Sequence, residues 1–227
     1  MKVRIPHPGE RPSKPWRYAQ LFFLITGLLA LGVATYSYAA LYIYQAYENR
    51  QFDRALGANN AAKSNPSWAL ASAEQRPAAP RTLRGRIAIP RLGISAMVTE
   101  GVDDRTLALA VGHISSTAMP GEIGNVGLAA HRDSLFRGLK DIAQNDEITL
   151  TTLDDTYTYR VASFKIVKPE EVSVLQPSAG ERTLTLVTCY PFYFVGHAPK
   201  RFVVRALQVE NQPAAAEERE GAAGGDS

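Results

Sequence analysis

The only cysteine of the chain, Cys189, closes the run Thr183-Leu184-Thr185-Leu186-Val187-Thr188-Cys189. As a strand, this run puts Leu184 and Leu186 on one face, and Thr183, Thr185, Val187 and Cys189 on the other. The leucine face is the natural core face, so the thiol ends its strand pointing away from the core. An inert buried thiol is the competing reading. The segment 125–131 has the same form. Val126, Leu128 and Ala130 make the apolar phase; Gly127, Ala129 and His131 make the other. His131 thus ends a strand beside small residues, which are expected to leave room for a ligand. In 201–209, Phe202, Val204 and Ala206 alternate with Arg201, Val203 and Arg205. If 183–189 and 201–209 form a hairpin, Arg201 falls beside Cys189. Arg205 lies about 13 Å further along at strand rise. A thiol, an imidazole and a guanidinium on strand ends suit cysteine acyl transfer. A nearby cation favours the thiolate, the imidazole moves protons, and charged donors steady an oxyanion. A solvated loop His131 and a salt-bridged surface Arg201 remain the bland alternatives at this point.

The elements that must hold these groups are mostly strands. Two-residue alternation recurs at 86–89, 95–99, 125–131, 147–152, 157–167, 183–189 and 201–209, separated by turn residues. Short helical pieces are expected at 103–111, 134–142 and 170–175. Seven or eight strands in one domain predict a closed barrel or a sandwich, and the pattern does not choose between them.

Three of these segments resemble motifs of the sortase family. Thr185-Leu186-Val187-Thr188-Cys189 is similar to its TLxTC signature. Gly127-Leu128-Ala129-Ala130-His131-Arg132-Asp133 resembles the segment carrying its histidine, and Pro199-Lys200-Arg201-Phe202-Val203-Val204 the strand carrying its arginine. Order and spacing agree over roughly 84–209. Gly112-His113, Pro120-Gly121-Glu122, Gly124-Asn125, the Tyr-Pro-Phe after Cys189 and the short 190–200 connection resemble class D most. The usual Ala-Gly-His is Ala-Ala-His at 129–131.

The resemblance implies a mainly β, closed eight-stranded barrel with a few short helices. It also implies a cysteine transpeptidase acting on LPxTG- or LPxTA-like sorting signals. Cys189 would form a thioacyl intermediate. An amine acceptor, a peptidoglycan precursor or a pilin lysine, would then resolve it. His131 would be the general acid/base and Arg201 the oxyanion or substrate clamp. Thr188 is a candidate supporter of the oxyanion. Ala129 and Val187, in phase with His131 and Cys189, are expected to floor the peptide groove. His113, near a helix end, is a candidate for its border, with a structural role as the alternative. His197 is expected to be a solvated loop residue. An L,D-transpeptidase would place a histidine close before its cysteine, and a thiol redox protein would want a second cysteine; neither pattern is present. A non-catalytic barrel scaffold is the rival from another class.

No cofactor is expected, and no metal, since no His/Cys pair has ligand spacing. Asp103-Asp104 and Asp154-Asp155 suit caps or turns better than a calcium site. The net charge of +3 invites a nucleic-acid reading, but its location removes it. Between Leu83 and Glu210 there are 14 Lys/Arg and 14 Asp/Glu, whereas residues 1–17 carry five basic side chains against Glu10. A nucleic-acid domain needs a basic face of its own.

From Tyr18 to Tyr47 no residue is charged. Its apolar centre would be about 36 Å long as a helix, enough to cross a hydrocarbon core of about 30 Å. Tyrosines crowd its distal end, and the basic cluster before it places the N-terminus in the cytoplasm. A cleaved signal peptide competes, because Ser37-Tyr38-Ala39 resembles a small-x-small site; signal cores run about 7–15 residues, which is shorter. The expected organisation is a basic cytoplasmic tail at 1–17 and a single-pass anchor in the cell membrane at 18–47. An extracytoplasmic spacer at 48–82, a catalytic domain at 83–210 and a disordered tail at 211–227 complete it.

Overall fold

The computed structural model describes residues 14–63, 83–177, 180–193 and 196–209. The expected tail at 211–227, most of the basic tail at 1–17 and residues 64–82 of the expected spacer lie outside them. The chain divides into two compact units, residues 1–43 and 44–227.

Helix α1 spans Lys14–Lys63. Its apolar part is long enough to cross a membrane, and none of its most apolar stretch is buried in protein. Phe22, Phe23, Leu29 and Tyr36 are all more than 60% exposed.

The helix does not stop where the apolar run stops. Residues 48–63, read above as spacer, are helical, and those from Tyr44 onward belong to the same unit as the strands. Their composition hid this because the docked face is largely polar. Gln45 donates to the Leu109 carbonyl at 2.6 Å and accepts from the Met97 N–H at 2.8 Å. Glu48 pairs with Arg84 at 2.5 Å, and Asn49 and Asp53 accept from Arg86 at 2.8 and 2.6 Å. Phe52, 4% exposed, lies under the Arg86 guanidinium at 5.4 Å. Residues 45, 48, 49, 52 and 53 share one helix face, and its large apolar residues beyond Tyr44 are only Phe52 and the partly buried Leu56, too few for an apolar period to show.

The strands are β1 (Arg84–Ile89), β2 (Ile94–Glu100), β3 (Val111–His113), β4 (Gly124–Ala129), β5 (Glu147–Thr152), β6 (Thr156–Val167), β7 (Arg182–Tyr190) and β8 (Lys200–Val209). They close into a barrel in the order β1-β2-β3-β4-β7-β8-β6-β5. The pairs β2–β3 and β4–β7 are parallel; the others are antiparallel. Closure settles the choice between barrel and sandwich. The alternating aliphatics fill the interior: Ile87, Ile89, Leu128, Leu150, Leu184, Leu186 and Val204 are fully buried. The strand missing from the sequence pattern is β3, three residues that begin at the last residue of the segment expected to be helical, 103–111. Helix α2 covers only Asp104–Leu109. Asp103 caps it, accepting from the Arg105 and Thr106 N–H groups at 3.1 Å each, so the cap reading of this aspartate holds. The pieces expected at 134–142 and 170–175 are 3-10 turns, Arg137–Asp141 and Val172–Leu175.

The docked half of α1 should therefore stabilise the barrel. Phe52→Ala in a fragment beginning at Tyr44 is expected to cost about 3 kcal/mol, read by chemical denaturation. An unchanged midpoint would show that the docking contributes nothing.

Candidate active site

Strands β4 and β7 run parallel in the register Ala129↔Val187. Two residues further along each strand stand His131 and Cys189. Strand β8 runs the other way and begins beside the end of β7, pairing Arg201 directly with Cys189. Residues opposite one another across antiparallel strands point to the same face, with Cβ atoms about 4.5–5.5 Å apart. Neighbouring strands lie about 4.8 Å apart. Three residues distant in sequence thus converge at one rim of the barrel, on the face opposite its leucine core. Arg205, paired with Thr185, stands four positions away from Cys189, as its spacing requires.

All three groups reach solvent. His131 is exposed, and Cys189 and Arg201 are half-buried. Arg201 is aimed by its own connection: Nη1 donates to the Ala198 and Lys200 carbonyls at 3.2 and 3.0 Å. Its Nε and Nη2 donors, the Cys189 thiol and the His131 imidazole make no hydrogen bond to a described residue. Anionic oxygen developing near Cys189 would meet those remaining guanidinium donors.

Ala129 and Val187 are cross-strand partners, both partly exposed, immediately before His131 and Cys189. Further back, the same outer face is covered. Asn125, 1% exposed, donates to the Val174 carbonyl at 3.2 Å and accepts from the Thr185 hydroxyl at 2.8 Å. The turn Val172–Leu175 thereby closes over Thr183 and Thr185, which are fully buried although they lie on the face away from the leucines. The room expected beside Gly127 is likewise filled. A Cβ there would meet Thr117 at 2.9 Å and Ile114 at 3.2 Å, and Thr117 Oγ1 accepts from the Gly127 N–H at 2.9 Å. Among the described residues, the uncovered stretch of this face therefore starts at Ala129 and Val187.

Two candidates do not face the groove. Thr188 shares the core phase of Leu184 and Leu186, is 2% exposed, and donates to the Ala130 carbonyl at 2.8 Å. It fastens β7 to the segment before His131. His113 is 1% exposed, and its whole ring is engaged. Nδ1 lies 2.9 Å from Glu100 Oε2, and Nε2 lies 3.1 Å from the Ala118 carbonyl and 3.2 Å from Thr117 Oγ1. This is the structural alternative, set by burial: His113 ties β2 and β3 to the 114–118 loop. His197 is exposed, as expected. On the other face of β7, Tyr190, Phe192 and Phe202 pack edge-on or stacked at 5.4–6.4 Å. With Ile166 and Lys140 they line a cavity of about 450 Å³ that contains none of the three reactive groups. Sequence reading missed the buried Asn125 and Thr185. An asparagine near the start of β4 and a threonine within β7, both on the outer phase, were the available signal.

A closed barrel with thiol, imidazole and guanidinium on three adjacent strand ends defines a cysteine acyl-transfer scaffold. A model of the sortase domain matches residues 87–209. The chain belongs to the sortase family, whose members are cysteine-dependent transpeptidases. It is 33% identical over 125 residues to Sortase D of Bacillus subtilis, covering 55% of this chain and 63% of that protein. It is 29% identical over 215 residues to Sortase SrtE1 of Streptomyces coelicolor, covering 84% and 56%. The chain thus spans less than two thirds of either relative. Among solved structures, a Clostridium perfringens Sortase D5 transpeptidase superimposes with TM-score 0.56 at 24% identity, over 75% of this chain and 99% of that one. Sortase C-1 of Actinomyces oris gives 0.51 at 31% identity, over 55% and 73%.

Glu100 offers a pH test of the loop support. Burial pushes its carboxyl up, but the bonds from Ser115, the Leu83 N–H and His113 outweigh that and hold it below its ordinary value. A depressed carboxyl stabilises the fold above its unfolded value, about 4.3, and loses that contribution as pH falls through its lower folded value. Between pH 6 and 3 the parent melting temperature should therefore fall more steeply than that of Glu100→Gln. Parallel curves would remove Glu100 from the acid response.

Proposed function

We propose that this chain is a membrane-anchored sortase that cuts an LPxT(G/A)-type sorting signal after its threonine and transfers the amino-terminal part, through the threonine carbonyl, to an amine. The observation that carries the reading is the Cys189↔Arg201 cross-strand pair, with His131 two residues past the end of the adjoining parallel strand. The Cys189 thiolate attacks the threonine carbonyl carbon; a C–S bond forms, and the electrons move onto oxygen beside Arg201. When the tetrahedral intermediate collapses, the C–N bond breaks and His131 gives the leaving amine its proton. The incoming amine then attacks the thioester carbon and loses a proton to His131, and the thiolate departs. The acceptor is an amine of the cell envelope or a pilin lysine. Ala129 and Val187 floor the peptide groove, and Thr188 positions the histidine segment from behind. The apolar half of α1 is the single-pass anchor. The basic residues before it favour a cytoplasmic N-terminus and so a catalytic unit outside the membrane.

The test uses the fragment from Tyr44, which keeps the docked half of α1, with LPxTG and LPxTA peptides and an amine. Mass spectrometry should find a thioacyl adduct on the parent, released by amine, and none on Cys189→Ala. His131→Asn should lower kcat/KM by about 10²–10⁴-fold and Arg201→Ala by about 10²–10³-fold. A folded parent that acylates with neither peptide, and whose thiol resists alkylation, would favour the scaffold reading instead.

A further inference from the structure

His131 and the Cys189 thiol are not tied to one another or to any described side chain, so their relation depends on the backbone segments that carry them. The residue after His131 is turned the opposite way. Arg132 is 9% exposed, and its Nη2 donates to the carbonyl of Gly196 at 3.0 Å. Gly196 lies in the connection that leaves Cys189 on β7 and returns with Arg201 on β8. It sits at φ 96°, a conformation that suits glycine. That connection also aims Arg201, through the Ala198 and Lys200 carbonyls. One guanidinium therefore joins the segment bearing His131 to the segment that links the other two reactive groups. The histidine side has further ties: Thr188 Oγ1 to the Ala130 carbonyl, the Ala130 N–H to the Val187 carbonyl at 3.3 Å, and the Phe136 N–H to the His131 carbonyl at 3.1 Å. A buried cation is retained only where it is hydrogen-bonded, so the position of Arg132 is an ordered one.

We infer that Arg132 is a positioning residue for the acyl-transfer site, locking the His131 segment to the β7–β8 connection so that the imidazole stays in register with Cys189 and Arg201. It touches no substrate and acts through His131. This rests on the transpeptidase reading above. Small misplacements of a catalytic group cost up to about 10²-fold in rate. Loss of Arg132 should therefore lower kcat while leaving recognition of the peptide by the groove intact.

The experiment uses the full chain in detergent micelles, comparing Arg132→Met and Arg132→Lys with the parent well below their melting temperatures. With an LPxTG or LPxTA peptide and an amine, Arg132→Met should lose about 10–100-fold in kcat with KM changed less than about threefold. Arg132→Lys, which keeps the charge and a donor, should recover part of that loss. Should Arg132→Met not fold, Arg132→Lys and Arg132→Gln carry the comparison. Hydrogen exchange reads the coupling without substrate: amides at 131–136 and at 196–200 should speed up together. A parent that turns over beside an equally active Arg132→Met would overturn the inference and leave the transpeptidase reading intact. So would faster exchange at 131–136 alone. A parent without turnover would defeat the transpeptidase reading, while the exchange data would still decide the coupling.

Discussion

The structure depends on one pairing, the parallel alignment of β4 with β7. Parallel strands in register end together, so a residue two places past Ala129 and one two places past Val187 arrive at the same rim. An antiparallel β8 then has to begin at that rim, which brings Arg201 opposite Cys189. A shift of one residue in either register would turn a reactive side chain into the leucine core. The placement of Cys189, His131 and Arg201 and the core packing are therefore fixed by the same ladder of backbone hydrogen bonds. Leu128, Leu184, Leu186 and Val204, all fully buried, hold the register that aims the groups on the other face.

That other face is made selective by covering most of it. Outer positions of a barrel usually meet water, yet Asn125, Thr183 and Thr185 are buried. Their polar groups are satisfied by each other and by the carbonyls of the Val172–Leu175 turn and Gly124. A buried polar set is tolerable only when its bonds are made, and here they double as the fastening of the Val172–Leu175 turn over this part of the face. Thr117 performs the corresponding task on the β3–β4 side, seated on Gly127. The open stretch is what these two coverings leave: Ala129, Val187, and the three reactive groups.

How much of this was legible follows from the kind of signal each part leaves. The seven alternating strands, the thiol phase and the Arg201 pairing all come from period two, which is strong where one face is buried. The short β3 has only Val111, Gly112 and His113, too few residues for a period. Parallel pairing of β4 with β7 joins strands more than fifty residues apart, and local pattern carries no record of it; the family motifs do. The bias that alternate residues face outward and hence solvent failed at Thr183, Thr185 and Gly127, because loops cover them. It held at Thr188, which shares the phase of Leu184 and Leu186, is buried with them and points away from its neighbour Cys189. The docked half of α1 was obscured because polar side chains of a helix bonding to strand arginines look, in composition, like a solvated spacer.

The exposure of the site bears on the choice between aminolysis and hydrolysis. Cys189 is half-buried and His131 exposed, so a thioester formed there would meet water. Within the proposed reaction, exclusion of water falls to the bound peptide and to the acceptor itself. An amine is the better nucleophile toward a thioester, and proximity raises its effective concentration further. The proposed membrane anchor would confine enzyme and acceptor to the same thin layer and supply that concentration. In the proposed reaction, the exposure of His131 and the partial exposure of Cys189 and Arg201 leave room for the acceptor amine, because a cover tight enough to exclude water would exclude it as well.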